Sequence, residues 1–256
     1  AEVLNNVALT QELFPNLVLA YAELDQVEGL DVDRDDFDKF RTRGMIAHIL
    51  DEIWRKPECV ASAVRLAEGE GGRELLGPFM AAVLGDLLHN LQDALDRLSS
   101  IRGLQDLMQN TAEWESMPIN ARDENRRFLA SQENAASGFM RLALTTLSLL
   151  NMLAGVKELC RFFGEEPAVG RAAYACVHFL EELLGPNRTS LKVEDPEKYG
   201  FDPKALLLSV IQFMLQVGAH IPSFAEAVSR EPDFSADVLG RASAVMERHA
   251  VGAGGE

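Results

Sequence analysis

The sequence predicts an all-α fold in which about ten helices stack as hairpins into a superhelical rod. Three observations carry this prediction. Apolar residues recur at helical spacing along most of the 256 residues. No stretch alternates apolar and polar residues with the β-branched enrichment of a strand. The apolar segments are separated by short breaks, and the hydrophobic fraction of 47% is high enough to form a large core.

The first quarter of the chain should contain three helices. Residues 5–27 form the first, and Pro15 is expected to kink or split it because proline lacks an amide hydrogen. Residues 35–55 form the second helix. The third spans residues 57–68 and has Pro57 in its first turn, where proline is tolerated.

The clearest helix runs from Glu74 to about Ser99. Leucines and other apolar residues recur there at i, i+3, i+4 and i+7, which predicts one wide apolar stripe. Polar residues, among them Asp86 and Asn90, fall between the apolar positions. We therefore expect these polar side chains on the opposite, solvent-facing side of the helix.

The second half of the chain continues the helical pattern. Residues 122–134 are polar on most faces, whereas residues 138–153 are strongly apolar and should lie deep in the core. The Gly-rich residues 251–256 are expected to form a flexible tail. Further helices are predicted at 167–184, 203–217, 223–229 and 235–248.

The least helical segment lies between Gly185 and Pro203. It contains three prolines and two glycines between two strongly apolar helices. A long ordered loop of this chemistry often carries function, so it is the main candidate site.

The charge balance excludes two classes of partner. The chain has 40 acidic and 24 basic residues, a formal net charge of −16. Nucleic-acid-binding proteins and polybasic membrane binders need a basic surface, so we expect neither partner. The longest apolar runs are also far shorter than a bilayer span.

No motif in the sequence indicates a catalytic, cofactor-binding or metal-binding residue. The acidic run Asp31–Asp38 lacks the glycine and glutamate spacing of a calcium loop, and is interpreted as a helix cap. The five histidines are scattered. The cysteines form no C-x-x-C pair and are interpreted as buried free thiols; they are Cys59, Cys160 and Cys176.

Three strings of residues together resemble one protein family. They are DFDKFRTRGMIAHILDEIWRKPE (36–58), ELLGPFMAAVLGDLLHNLQDALDRL (74–98) and LLGPNRTSLKVEDPEKYGFDPKALL (183–207). The third is the most specific, and resembles a signature in the core of ubiquitin conjugation factors of the E-four class. These are U-box ubiquitin ligases that elongate ubiquitin chains.

The resemblance implies a fold and a role. Residues 1–250 would be the back half of an armadillo- or HEAT-like rod, the scaffold of a ubiquitin-protein ligase that marks substrates for proteasomal degradation. The U-box of such ligases follows the core and is not seen here, so the chain by itself is expected to be non-catalytic.

The resemblance also implies partners and a location. An AAA segregase ATPase, ubiquitin-shuttle proteins and ubiquitinated substrates would bind the rod, and a ubiquitin-conjugating enzyme would bind the U-box. The expected location is the cytoplasm and the nucleus.

Two interpretations of the loop remain open. Its family-like residues could form a partner-docking element, or they could form a rigid connector in which Tyr199 and Phe201 fill a gap and Pro203 starts a helix. Two other functions also remain open: a general α-solenoid adaptor that binds peptides, and a helical enzyme whose site assembles from distant residues. The candidate residues are Lys192, Pro196, Glu197, Lys198, Tyr199, Gly200, Phe201, Asp202 and Pro203.

Overall fold

A computed structural model describes residues 7–24 and 39–253, with side chains for 12–24 and 39–248. The predicted cap at Asp31–Asp38 lies outside the described residues, as do residues 254–256 of the predicted tail. All regular structure in the described part is helical, so the all-α prediction is confirmed. The α-helices are α1 (Val7–Glu23), α2 (Lys39–Trp54), α3 (Pro57–Glu68), α4 (Gly72–Gln109), α5 (Thr111–Ser116), α6 (Ile119–Ala154), α7 (Lys157–Cys160), α8 (Ala168–Leu184), α9 (Pro203–His220), α10 (Phe224–Arg230) and α11 (Ala236–Ala253).

A pair of long helices forms the centre of the fold. α4 has 38 residues and α6 has 36, which makes them about 57 Å and 54 Å long. The short α5 reverses the chain between them, so they pack as an antiparallel hairpin. No described side chain from residue 106 to residue 135 is buried, so the far end of this hairpin projects from the core.

Three predicted boundaries were wrong. α4 continues ten residues beyond Ser99, and α6 runs unbroken through the gap predicted between residues 134 and 138. Gly138 costs a helix about 1 kcal/mol relative to alanine. Packing of α6 against α4 offsets this cost. Of the two effects expected of Pro15, a kink or a split, the split does not occur: α1 continues past Pro15 and packs on α3 and α4.

The polar positions of α4 also correct the sequence analysis. Asp86 and Asn90 are buried, with 4% and 2% of their surface exposed, and do not face solvent. α4 packs against α1 and α8 as well as α6, so it has almost no solvent-facing side at this level. A single apolar stripe is the wrong description for a helix surrounded on several sides.

The remaining helices cover this hairpin on two sides. α2 packs on α6, and α3 contacts α1. α8 lies against α4 and itself supports α9, α10 and α11. One 3₁₀ turn (Arg161–Gly164) connects α7 to α8, and two more (Pro186–Leu191 and Pro196–Tyr199) lie between α8 and α9.

One described helix, α6, is long and apolar enough by length and composition to cross a membrane. Of its most apolar 18-residue window, 44% is buried inside the fold. α6 contacts α4, α2 and α9.

Candidate functional site

The loop from Gly185 to Pro203 lies across the α4–α6 hairpin. It begins at a sharp exit from α8, where the amide of Gly185 donates a hydrogen bond to the carbonyl oxygen of Glu181 at 2.6 Å. A Cβ atom at position 185 would collide with that carbonyl oxygen and with the Glu181 carboxylate. Only glycine therefore allows the chain to leave α8 in this direction.

The first half of the loop is attached to α4. Arg102 donates from Nη1 to the carbonyl oxygen of Lys192 at 2.9 Å. The amide of Glu194 donates to Oε1 of Gln105 at 2.9 Å. Gln109 also donates from Nε2 to the Glu194 carboxylate. These hydrogen bonds hold the first half of the loop against successive turns of α4, at Arg102, Gln105 and Gln109.

The second half of the loop is attached to α6 through a single carboxylate. The Tyr199 hydroxyl donates to Oε1 of Glu133 at 2.8 Å, and Nζ of Lys198 lies 2.6 Å from the same oxygen. Tyr199 has only 1% of its surface exposed. Burial, followed by the hydrogen bond to the Glu133 carboxylate, raises the pKa of the Tyr199 hydroxyl well above its usual range.

A tight turn places these two aromatic residues. Gly200 has a φ of +66°, in the left-handed region that glycine adopts without strain. The amide of Phe201 then donates to the carbonyl oxygen of Pro196 at 3.0 Å, which closes the turn. The turn allows the side chains of Tyr199 and Phe201, which are two positions apart in the sequence, both to be buried.

The loop ends at a capped helix. The Asp202 side chain accepts hydrogen bonds from the amides of Lys204 at 2.9 Å and Ala205 at 3.0 Å. Pro203 occupies the first position of α9, as the connector interpretation expected. These two residues fix where α9 begins and therefore where its apolar face meets α6.

The candidate residues thus divide by exposure. Tyr199 and Phe201 are buried and tie the loop down, and Pro196 is half-buried. The docking role of the exposed members stays a prediction. They are Lys192, Glu197, Lys198, Gly200, Asp202 and Pro203.

The described residues contain no group of three or more His, Cys, Asp or Glu side chains that could hold a metal ion.

The cysteines are all buried and free. Burial raises the pKa of the Cys160 thiol to about 11, and it also raises the pKa of Cys59 and Cys176. A thiol in this state is protonated at neutral pH and is a poor nucleophile.

Sequence reasoning missed a buried polar cluster between α1, α2 and α4. Asp86 accepts a hydrogen bond from the Tyr21 hydroxyl at 2.6 Å and pairs with Nη1 of Arg43 at 3.0 Å. Arg43 also donates from Nε to the carbonyl oxygen of Tyr21 at 3.1 Å. The available signal was an aspartate with leucine or valine on both sides along a helix that is apolar on several faces.

Comparison with known proteins identifies the family. A family model described as "Ubiquitin elongating factor core" matches residues 1–254. The chain belongs to this family. The match includes the loop and the α4–α6 hairpin to which the loop is attached, so both lie within the ubiquitin elongating factor core.

Several relatives carry the name ubiquitin conjugation factor E4. The chain is 32% identical over 197 residues to a probable ubiquitin conjugation factor E4 of Arabidopsis thaliana, covering 76% of the chain and 19% of that protein. It is 29% identical over 241 residues to ubiquitin conjugation factor E4 of Schizosaccharomyces pombe, covering 94% and 23% respectively. It is 26% identical over 239 residues to E4 ubiquitin-protein ligase UFD2 of Saccharomyces cerevisiae, covering 91% and 24%. The chain therefore spans about a fifth to a quarter of the length of these relatives.

Proposed function

We propose that this chain is a scaffold segment of a ubiquitin chain-elongation factor. In this role it holds partners of the reaction, while a U-box elsewhere in the full protein activates ubiquitin transfer. The observation that carries the proposal is the family match over residues 1–254. The names of two relatives, ubiquitin conjugation factor E4 and E4 ubiquitin-protein ligase UFD2, support it.

The scaffold is proposed to be part of an armadillo- or HEAT-like rod. Support comes from the pattern of contacts, in which α1, α2 and α3 contact one another and the α4–α6 hairpin, whereas α9, α10 and α11 pack on α8. A compact domain of this length has a radius of gyration of about 18 Å. We expect small-angle scattering to give a larger value, and a value of about 18 Å would contradict the rod.

The chain is proposed to have no ligase activity by itself. A ligase that carries ubiquitin as a thioester needs an accessible thiolate. The three cysteines are buried, and their thiol pKa values are raised. This supports a scaffold and argues against thioester transfer through any cysteine of this chain.

The proposed partners are an AAA segregase ATPase, ubiquitin-shuttle proteins and ubiquitinated substrates in the cytoplasm and nucleus, with a ubiquitin-conjugating enzyme bound through the U-box. The exposed side of the loop is the proposed docking element. Its Lys192 and Glu197 side chains project from a segment held firmly on α4 and α6. A rigid, charged loop recognises a partner without first having to become ordered.

A chain-elongation assay tests the proposed function. The reaction contains ubiquitin-activating and ubiquitin-conjugating enzymes, ubiquitin, a ubiquitinated substrate and the segregase. We expect the chain alone to produce no elongation. Added in excess to a reaction driven by the S. cerevisiae relative, it should lower the rate at least about twofold by competing for shared partners. Elongation by the chain alone would overturn the non-catalytic role.

Matched charge reversals locate the docking element in the same assay. Lys192→Glu in the loop should abolish the competition, whereas Lys157→Glu, at an exposed site outside the loop, should preserve it. If both variants compete like the unchanged chain, the loop is not the docking element. If the unchanged chain neither competes nor binds the segregase, a general solenoid adaptor becomes the better description.

A further inference from the structure

An apolar groove lies between α9 and α11. Both helices pack on α8, and α10 contacts α8 and α9 at the base, which leaves an opening of about 760 Å³. The side chains lining the groove are almost all apolar; those at its mouth include Met214, Leu215, Phe234, Leu239 and Met246. This groove is separate from the loop and from the buried Asp86 cluster.

The mouth of the groove leaves large apolar side chains in water. Leu215 on α9 has 58% of its surface exposed, and Phe234, just before α11, has 37% exposed. Exposed apolar surface concentrated at a concave site marks a place where another molecule binds. The lining offers only the Ser229 and Ser243 hydroxyls as polar side chains, too few to orient a small polar ligand.

The charge beside the groove indicates the kind of partner. Glu231 and Asp233 lie in the connection between α10 and α11, next to Phe234. The neighbouring basic side chains are already used, since Arg230 pairs with Glu226 at 2.5 Å and Arg241 pairs with Asp237 at 2.8 Å. Among the described residues, no ion pair joins Glu231 or Asp233 to a basic side chain.

These two carboxylates repel each other at the edge of the apolar surface. Burial, followed by the charge of Asp233, raises the pKa of the Glu231 carboxyl. A cation from a partner would offset the repulsion between the two carboxylates and favour their charged forms. The groove therefore complements an apolar surface that ends in positive charge.

We propose that the groove binds an amphipathic helix of another protein, with the apolar face of that helix in the groove and a Lys or Arg at one end beside Glu231 and Asp233. The lining residues of α9 run from Ile211 to Ala219, about 12 Å along the helix axis. Two to three turns of a partner helix, presenting side chains at i, i+3, i+4 and i+7, would fill this length. The proposal concerns a different surface from the docking loop, so it stands or falls independently of the proposed function.

Two synthetic peptides test the proposal by fluorescence anisotropy with the 256-residue chain. Both are 15-residue helices with the same leucine face, but one has lysines and the other glutamates on the polar face. We expect the lysine peptide to bind at least about tenfold more tightly. Exchanging the two carboxylates (E231Q with D233N) should reduce this preference to about threefold or less.

A charge-adding variant separates groove binding from general attraction to an acidic protein. Leu215→Glu places a carboxylate in the groove, so it should abolish binding of the leucine face while increasing the overall negative charge. Met45→Glu adds the same charge at a residue of α2 that is 54% exposed and far from the groove along the chain, and should leave binding unchanged. Circular dichroism checks that both variants remain helical.

Three outcomes would overturn the proposal. Equal binding of the two peptides would remove the basis for a basic partner. Unchanged binding of the lysine peptide by the Leu215→Glu variant would place the peptide elsewhere. If the chain dimerises in analytical ultracentrifugation and Leu215→Glu makes it monomeric, the groove is occupied by a second copy of the chain and not by another protein.

Discussion

Replacing Asp86 by alanine should lower the free energy of unfolding by about 3–5 kcal/mol. The carboxylate accepts a hydrogen bond from the Tyr21 hydroxyl at 2.6 Å and forms an ion pair with Arg43 at 3.0 Å. All three side chains are buried. The substitution takes away a carboxylate that pairs with a buried guanidinium and accepts a hydrogen bond from a buried hydroxyl. Urea unfolding followed by circular dichroism measures the loss.

The matched control lies one face away on the same helix. The Asp96 side chain is exposed and accepts a hydrogen bond from Gln92, four residues earlier on α4, at 2.8 Å, so Asp96→Ala should change the free energy of unfolding by about 0.5 kcal/mol or less. The double variant Asp86→Ala with Arg43→Met should lose less than the sum of the two single variants, because the buried cation is removed with its partner. Equal losses for Asp86→Ala and Asp96→Ala would show that the buried cluster contributes little.

Replacing Tyr199 by alanine should cost about 3 kcal/mol or more in the free energy of unfolding. The ring is buried between the loop and α6, and its hydroxyl bonds Glu133 at 2.8 Å. Tyr174→Ala is the matched control, since that ring is 41% exposed and should cost about 1 kcal/mol or less. A similar cost for both variants would mean that Tyr199 does not anchor the loop.

A conservative variant of the same residue isolates the hydroxyl. Tyr199→Phe keeps the ring and loses one hydrogen bond to a carboxylate, so it should cost about 1.5 kcal/mol. The folded-state pKa of Tyr199 is raised above its unfolded value of about 10. Its contribution to stability is therefore complete below pH 10 and is lost as the pH rises further.

The pH dependence of the free energy of unfolding tests whether the raised pKa belongs to Tyr199. Above pH 10 the unchanged chain should lose stability more steeply than Tyr199→Phe, because only the former has a hydroxyl at position 199 that ionises more easily once unfolded. The other tyrosines are common to both proteins and cancel in the comparison. Parallel curves would contradict the assignment of the raised pKa to Tyr199.

Tyr199 and Asp86 show which parts of the structure could be predicted from the sequence and which could not. The composition of the loop, with its prolines and two aromatic residues, indicated a segment tied down by Tyr199 and Phe201, and both are buried. Nothing in the sequence of the loop indicated which residues of α4 and α6 would hold it. The α4 and α6 residues that hold the loop lie 65 to 90 positions away along the chain, and most are ordinary polar residues of helical surfaces.

Asp86 was misplaced for a related reason. Helical periodicity assigns each residue to one of two faces, and this works for α3, whose buried residues recur at i, i+3, i+4 and i+8 with exposed residues between them. α4 is contacted by α1, α6 and α8, so a polar residue between leucines can still lie against another helix, as Asp86 does. Its partner Arg43 follows from tertiary packing alone, which a single sequence does not reveal.

The long α4–α6 hairpin has a mechanical consequence. Two paired helices of about 55 Å form a stiff bar, and only the part up to about residue 105 is embedded in the core. The projecting part of α6, residues 119–135, is about 25 Å long, so a rotation of about 5° where the bar leaves the core would move its tip by about 2 Å. The loop is hydrogen-bonded to this bar at residues 102–109 and 133, so a rotation of the bar would move the loop with it.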